Sequence, residues 1–371
     1  MKILQISRQF FPSTGGIENV MYGLSQALQH IGHSSDILTL CYIFNAGETI
    51  ESEACVDGLK VYRLPHIGGK RYPIAPAVLS FTSSYDILHI HAIDFFIDFL
   101  SITRPLHRKP IVVNTHGGIF HTQWLVSFKK FYFKTVTRFS LRKADAVVCV
   151  SEHDYDLFKT IVPAEKLHII SNGVNVEPFL DIQKKIVPGL LLGIGRIAEN
   201  KGIEKLIDLL PRLVEDFPSV HLVWVGNDLQ KRIPQLLAYA EQLCVASRVH
   251  FLGQVPDAKL RDLLSQAHLF VSAASYEAFG LSTIEAMSSA TVPVVTPVGI
   301  HPEVIREGQT GFLYQFEDQQ PLDCFRHALS LDDNQLSEIG HKAREVARQY
   351  SWAKVVNSYM AIYQSVLSKK T

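Results

Sequence analysis

Short apolar runs alternate with amphipathic helical patterns along this whole chain, and the alternation restarts once near its middle. A run too short for a helix, followed by a helical stripe and then another such run, is the signature of parallel strands joined by crossover helices. In the first half the strands are expected at Lys2–Ile6, Asp36–Leu40, Leu59–Leu64, Asp86–His91, Ile111–Thr115 and Ala146–Val150. Between the first two, Ile17, Val20, Met21, Leu24, Leu28 and Ile31 mark one helix face, and Gly32 ends it as a C-terminal glycine does. After a Pro/Gly-marked stretch near Asp181–Pro188, strands are expected at Leu190–Gly195, Val220–Val225, Val249–Leu252, Leu269–Ser272 and Val292–Thr296. The helix Ile203–Phe217 carries an apolar stripe that Pro211 interrupts, where a kink is expected.

The fold class that follows is α/β, with two Rossmann-like domains in tandem. The 371 residues exceed one ordinary α/β domain, whereas two of roughly 170 to 190 residues fit the usual range. The expected division is 1–180, 181–350 and a terminal amphipathic segment 351–371 that could cross back onto the first domain. Two such units facing each other leave a cleft outside the carboxyl ends of both sheets, where open α/β sheets take ligands.

Charge narrows the partners. Lys plus Arg equals Asp plus Glu at 36 each, so there is no basic excess to favour nucleic acid. No apolar run reaches the roughly 18 to 20 residues that span a bilayer. The opening MKILQISRQF breaks its apolar run at Gln5 and Arg8 and reads as a strand, not a signal peptide. Five cysteines without a CxxC pair or regular spacing suit free thiols in a reducing cytoplasm.

Three stretches carry the chemistry. In SRQFFPSTGGIENV, Gly15 and Gly16 stand before a helix, where backbone N–H groups and the helix dipole favour an anion. A plain tight turn is the other reading. In LLGIGRIAENKG, Gly193, Gly195 and Ala198 match a G-x-G-x-x-A dinucleotide fingerprint, and Asp228 lies near the place of its ribose-binding acid. Arg196 and Lys201 instead bring two cations to that turn, which suits a terminal diphosphate. In SYEAFGLSTIEAMSSATVPVV, seven residues separate Glu277 from Glu285, and a helix is expected to start at Ser282 or Thr283. Both carboxylates can then reach one ligand if Glu277 lies on the preceding loop. Carboxylates are natural partners for sugar and ribose hydroxyls. His116 follows an apolar strand and precedes two glycines, so it is expected at a strand's carboxyl end. His89 and His91 face the same side of one strand, and with no third ligand at metal spacing they read as strand-end packing.

Taken together, the GG turn, NGVN at Asn172–Asn175, GRIAENKG, the Glu-x7-Glu element and VGIHPEVIREGQTGFL resemble the family 4 retaining glycosyltransferases of GT-B fold. By matched position the resemblance implies Arg196 and Lys201 on the donor diphosphate, Glu285 on the ribose, and Glu277 with the Phe279–Gly280–Leu281 backbone on the transferred sugar. It further implies Gly15 and Gly16 near the donor phosphate, Glu303 in the donor-side loop, and His116 meeting the donor sugar at the catalytic site. Ala278 and Ile300 depart from the family pattern, each standing where a Gly is usual. The resemblance also implies retention without a covalent enzyme intermediate, and cations with helix dipoles in place of a divalent metal.

In the first half, KRYPIAPAVLS, HAIDFFIDFLSITRPLHRKP and THGGIFHTQW look like the bacterial exopolysaccharide mannosyltransferases of the xanthan and acetan type. That likeness implies GDP-mannose as donor and a polyprenyl-diphosphate-linked saccharide as acceptor, with Asp94 and His121 in the acceptor pocket. A lipid-linked acceptor implies peripheral attachment to the inner face of the cell membrane. The segment Gln123–Lys143 suits it, with Lys130, Lys134, Arg138 and Arg142 recurring every four residues among Trp124, Phe128, Phe131 and Phe139. A core helix whose cations face water is the bland reading of the same segment. Two rivals differ in class. One is a nicotinamide-dependent oxidoreductase; the other is a non-catalytic sugar-nucleotide-binding subunit, which should lack one of Arg196, Lys201, Glu277 and Glu285.

Overall fold

The computed structural model describes residues 1–13, 15–70, 72–116, 131–277, 279–316 and 320–369. They form two compact units, Met1–Gly173 with Trp352–Thr371, and Val174–Ser351. Sixteen strands are β1 Lys2–Ile6, β2 Ser34–Leu40, β3 Tyr42–Ile43, β4 Glu48–Thr49, β5 Glu53–Val56, β6 Leu59–Leu64, β7 Ile87–His91, β8 Ile111–Asn114, β9 Ala146–Cys149, β10 Leu167–Ile169, β11 Leu190–Ile194, β12 His221–Val225, β13 Val249–Phe251, β14 Leu269–Ser272, β15 Val292–Val295 and β16 Phe312–Leu313.

The first unit holds an eight-stranded sheet in the order β10-β9-β8-β7-β1-β2-β6-β5. All its pairings are parallel except the β5–β6 hairpin at the edge. Its central strands are largely apolar because both their faces are buried; Ile3, Leu4, Ile87, Leu88, Val112 and Val113 are all fully buried. The chain steps from β1 to β2 on one side and later to β7 on the other, so the strand order reverses between β1 and β7. Such a switch point leaves a crevice outside the carboxyl ends, at Ser7–Gln9 and Ala92–Asp94.

The terminal helix Trp352–Ser368 belongs to this first unit. Trp352, Val355, Val356, Tyr359, Ile362, Tyr363 and Val366 are buried with Ile3, Val20, Leu24, Leu28, Ile87 and Val112. At about 1.5–3 kcal/mol for each large apolar side chain removed from water, this seam is a main source of the unit's stability. A Cβ at Gly23 would lie 2.0 Å from the Trp352 indole, and one at Gly173 2.3 Å from it, so both glycines make room for this ring.

The second unit holds a six-stranded, wholly parallel sheet in the order β13-β12-β11-β14-β15-β16. Its order reverses between β11 and β14, which sets Gly195–Arg196 beside Ala273–Glu277 at the carboxyl edge. The helix Ile203–Asp216 runs through Pro211 without ending there, because Leu206, Ile207, Leu210 and Leu213 are all buried against the sheet. One intrahelical hydrogen bond is lost at Pro211, and the packing of its neighbours outweighs that loss. The division expected at 180/181 falls instead at Gly173/Val174, since Val174, Val176 and Phe179 are buried in the second unit's core.

Candidate active site

The second unit builds its site from three loops. Asn200 ties two of them: its carbonyl accepts from the Ser275 N–H at 2.9 Å, and its Nδ2 donates to the Tyr276 carbonyl at 3.1 Å. That tie brings Lys201 Nζ onto Glu277 Oε1 in an ion pair whose two side chains are largely buried. Arg196 is exposed and has no ion-pair partner among the described residues. The third loop closes from behind, where the Ile300 N–H donates to the Phe279 carbonyl at 2.7 Å. Ile300 has φ −80° and is fully buried, so the missing glycine is accommodated as core. The other departure, Ala278, lies outside the described residues.

The helix expected at Ser282 or Thr283 starts earlier, at Leu281, with Gly280 as its N-cap at φ +115°. A side chain is strained there, and without a capping side chain among the described residues the Leu281 and Ser282 amides are left for an outside acceptor. Thr283, the expected cap, is engaged differently: its hydroxyl meets His301 Nε2 at 2.8 Å, while His301 Nδ1 meets the Thr296 carbonyl at 2.6 Å. His301 is a buried brace for this helix start, and burial lowers its pKa. Glu285, partly buried on the same helix, is pushed up to about 7 by burial and by the Asp257 carboxylate. Glu303 lies on the short helix His301–Val304 with an exposed side chain.

The dinucleotide pattern has an internal cause. A Cβ at Gly193 would lie 2.2 Å from the Trp224 ring, and the Trp224 indole N–H donates to the Gly195 carbonyl at 2.8 Å. Both oxygens of Asp228 accept helix-start amides, from Arg232 at 2.8 Å and Ile233 at 2.9 Å. The glycine is fixed by packing and the acid by capping, so the oxidoreductase reading loses its two supports.

The first unit gathers neutral and buried groups. Gly15 is the N-cap of Gly16–His30, and a Cβ there would lie 2.5 Å from the Glu18 carboxylate. At Gly16 a Cβ would meet nothing within 4 Å and φ is not positive, so the fold itself does not require a glycine. Asp94 caps Phe95–Ile102 through the Phe96 N–H at 2.9 Å and lies 3.2 Å from Arg8 Nε. Burial raises its pKa to about 6, with Arg8 opposing. His116, at φ +51°, holds a left-handed backbone that costs a non-glycine residue of order 1–3 kcal/mol. Its Nε2 lies 2.9 Å from His91 Nδ1, and burial lowers its pKa to about 4. His91 is thus more than strand-end packing; the alternation that put it on one face with His89 did not reveal its partner just beyond the neighbouring strand. His121 lies outside the described residues. Two surface cavities, lined in part by Leu79, Leu106 and His107 and by Lys205, Leu209 and Phe316, contain none of these residues.

Comparison with known proteins decides the family. Residues 14–178 match the model described as Glycosyltransferase Family 4, and residues 182–346 match Glycosyl transferases group 1. The chain is 33% identical over 372 residues to a GDP-mannose:cellobiosyl-diphosphopolyprenol alpha-mannosyltransferase of Komagataeibacter xylinus, covering 100% of this chain and 94% of that one. The chain belongs to glycosyltransferase family 4.

A relative of the same description from Xanthomonas campestris is 33% identical over 373 residues, covering 99% of the transferase and 97% of that chain. HepE of Anabaena, solved with UDP and glucose, superposes with a TM-score of 0.79 at 19% identity over 98% of this transferase and 100% of that chain. At that identity the likeness bears on fold alone: two Rossmann-like units, the GT-B architecture. The transferase thus places its Lys201–Glu277 pair at the switch point of one unit and Asp94 with His116 at the carboxyl edge of the other.

Proposed function

We propose that this transferase moves an α-mannosyl group from GDP-mannose to a polyprenyl-diphosphate-linked saccharide, with retention, in surface-polysaccharide assembly. The observation that carries the reading is end-to-end similarity to enzymes described as using that donor and that class of acceptor. The site chemistry is compatible. Lys201, Arg196 and the uncapped start of Leu281–Ser288 face the leaving diphosphate, where positive charge is worth most as the sugar–phosphate bond breaks. Glu285 takes the ribose, Glu277 and the Phe279–Leu281 backbone take the sugar, and Gly16 lets the donor phosphate approach. Glu303 belongs to the same donor-side loop. The acceptor oxygen bonds to the anomeric carbon as the phosphate oxygen departs, and that phosphate takes the acceptor's proton. All four residues whose loss would mark a non-catalytic subunit are present.

We place the enzyme peripherally on the inner face of the membrane. Among the described residues no helix is long and apolar enough to cross a bilayer. Phe131 and Phe139 are 66% and 48% exposed, and Lys134 and Arg138 are exposed beside them. The expected even stripe is altered: Phe133–Thr137 is a π-turn, and Arg142 Nε donates to the Ile161 carbonyl. Residues 123–130, with Trp124, Phe128 and Lys130, lie outside the described residues.

The test is a panel of GDP-, UDP- and ADP-sugars, each followed by nucleotide release with and without a short-chain cellobiosyl-diphosphoprenol. Acceptor-dependent release from GDP-mannose alone is expected; a preference for another donor overturns the assignment. Replacing Phe131, Lys134, Arg138 and Phe139 together by Ser should abolish sedimentation with anionic vesicles while sparing a water-soluble acceptor analogue.

A further inference from the structure

Side chains from two neighbouring strands form a chain of contacts that ends at His116, just beyond the end of a third, β8. Gln5 on β1 and His91 on β7 are fully buried, and neither is reached by any site motif in the sequence. The Ser35 hydroxyl donates to Ser25 Oγ at 3.0 Å, which leaves its oxygen to accept from Gln5 Nε2 at 3.4 Å. This orients the Gln5 amide so that Oε1 faces His91 Nε2 at 2.7 Å. A carbonyl oxygen only accepts, so His91 must carry its proton on Nε2.

A neutral imidazole has one N–H, and burial with the neighbouring His89 and His116 rings keeps His91 neutral. Its Nδ1 is therefore a bare acceptor, and the 2.9 Å contact requires the His116 Nε2 to be the donor. The His89 ring, 4.4 Å from that of His91, does not compete. Its Nε2 meets Asn114 Oδ1 at 3.2 Å and its Nδ1 meets the Tyr363 hydroxyl at 2.7 Å.

We propose that Gln5 and His91 are positioning residues that fix the tautomer of His116, so that its Nδ1 meets the substrate as a hydrogen-bond acceptor. The inference rests on the reading of His116 as a sugar-contacting residue. Among the described residues nothing pairs with His116 Nδ1, so this is the nitrogen left for a ligand. It receives an O–H from a sugar hydroxyl and offers nothing to a phosphate oxygen. The strained φ of His116 holds the ring at the end of this relay. Proton position thus passes from an amide on β1 to the substrate through two rings.

The test uses the full chain labelled with nitrogen-15 at histidine, at about pH 7.5, with the His116 signals assigned by their loss in His116→Gln. A neutral His116 protonated at Nε2 is expected; an Nδ1-protonated ring or an imidazolium overturns the proposal without any variant. Gln5→Leu keeps the apolar bulk but frees His91, so an Nδ1-protonated His116 should appear. In the same variant kcat for GDP-mannose should fall about tenfold, roughly 1.4 kcal/mol, with KM changed by less than about twofold. An unchanged tautomer in Gln5→Leu overturns the relay. His116→Ala separates the two readings: full activity there removes His116 from the site, whereas the nitrogen signals judge the relay independently.

Discussion

The two units hold candidate sites of opposite character at equivalent places in their sheets. In the second unit the site is mostly charge carried on loops: Lys201 on Glu277, an exposed Arg196 with no ion-pair partner among the described residues, and Glu285 one turn into the helix Leu281–Ser288. In the first unit the groups beneath His116 are fully buried and mostly neutral, with Gln5, His89, His91, Asn114, Tyr359 and Tyr363 joined by hydrogen bonds. A charged ligand end such as a diphosphate needs mobile cations that can exchange one anion for another. A polyol needs acceptors and donors fixed in direction, because a neutral hydrogen bond is worth only about 0.5–1.5 kcal/mol and loses that when misaligned. On the proposed reading, the contrast teaches that one fold used twice can serve two binding tasks through the polarity of its strand ends.

The strongest way to break this contrast is at the ion pair. Lys201→Ala and Glu277→Ala should each lower kcat/KM about 100-fold, near 2.7 kcal/mol, and the double variant should cost much less than the sum. Steady-state kinetics on the single and double variants decide it; additive losses would mean the pair does not act as a unit. Arg196→Ala should cost about tenfold, since its charge is exposed and screened.

Next is pH. On the proposed reading a ribose hydroxyl donates to Glu285, so GDP should bind its ionised form; with a pKa of about 7, affinity should drop about tenfold from pH 8 to pH 6. Glu285→Gln should bind weakly with a flat profile in calorimetry, and a flat profile in the wild type would exclude Glu285 from the nucleotide site. Stability runs the other way. The raised folded pKa means that the Glu285 contribution is fully present below the unfolded value near 4.5 and is lost as pH rises through 7.

A smaller effect tests the helix start in the first unit. Gly16→Ala should leave thermal stability equal or higher by up to about 1 kcal/mol, because open space receives the methyl. Its kcat/KM should nonetheless fall about fivefold, roughly 1 kcal/mol, through crowding of the donor phosphate. Equal activity would assign Gly16 to the turn alone. The smallest expected effect is none: chelation by EDTA should leave turnover unchanged, because Lys201, Arg196 and the helix start already supply positive charge. Loss of turnover restored by Mg²⁺ or Mn²⁺ would reverse that assignment.

The donor-side motifs were legible in the sequence because each is local. Arg196 and Lys201 share one turn, and Glu277 to Glu285 is one loop and one helix. The parallel sheets were legible for a similar reason: strands buried on both faces are near-continuous apolar runs, as residues 111–113 of β8 and the whole of β9 are. Short edge pieces such as β5 and β10 were not, since few residues and partial exposure leave little periodicity to read.

What only the tertiary structure decided are the matters of long sequence separation. The ion pair between Lys201 and Glu277 spans 76 residues, and the contact of Gln5 with His91 spans 86. Neither leaves a mark at helix or strand spacing. The dinucleotide-like glycines needed the Trp224 ring to explain them, and Asp228 needed the helix it caps. The terminal helix was legible as amphipathic, but the side to which it belongs was set by Gly23, Gly173 and the apolar face of Gly16–His30. The physical reason is common to all of these. A sequence fixes the period of its own apolar pattern, whereas which polar group meets which is settled only when strands far apart in the chain are packed side by side.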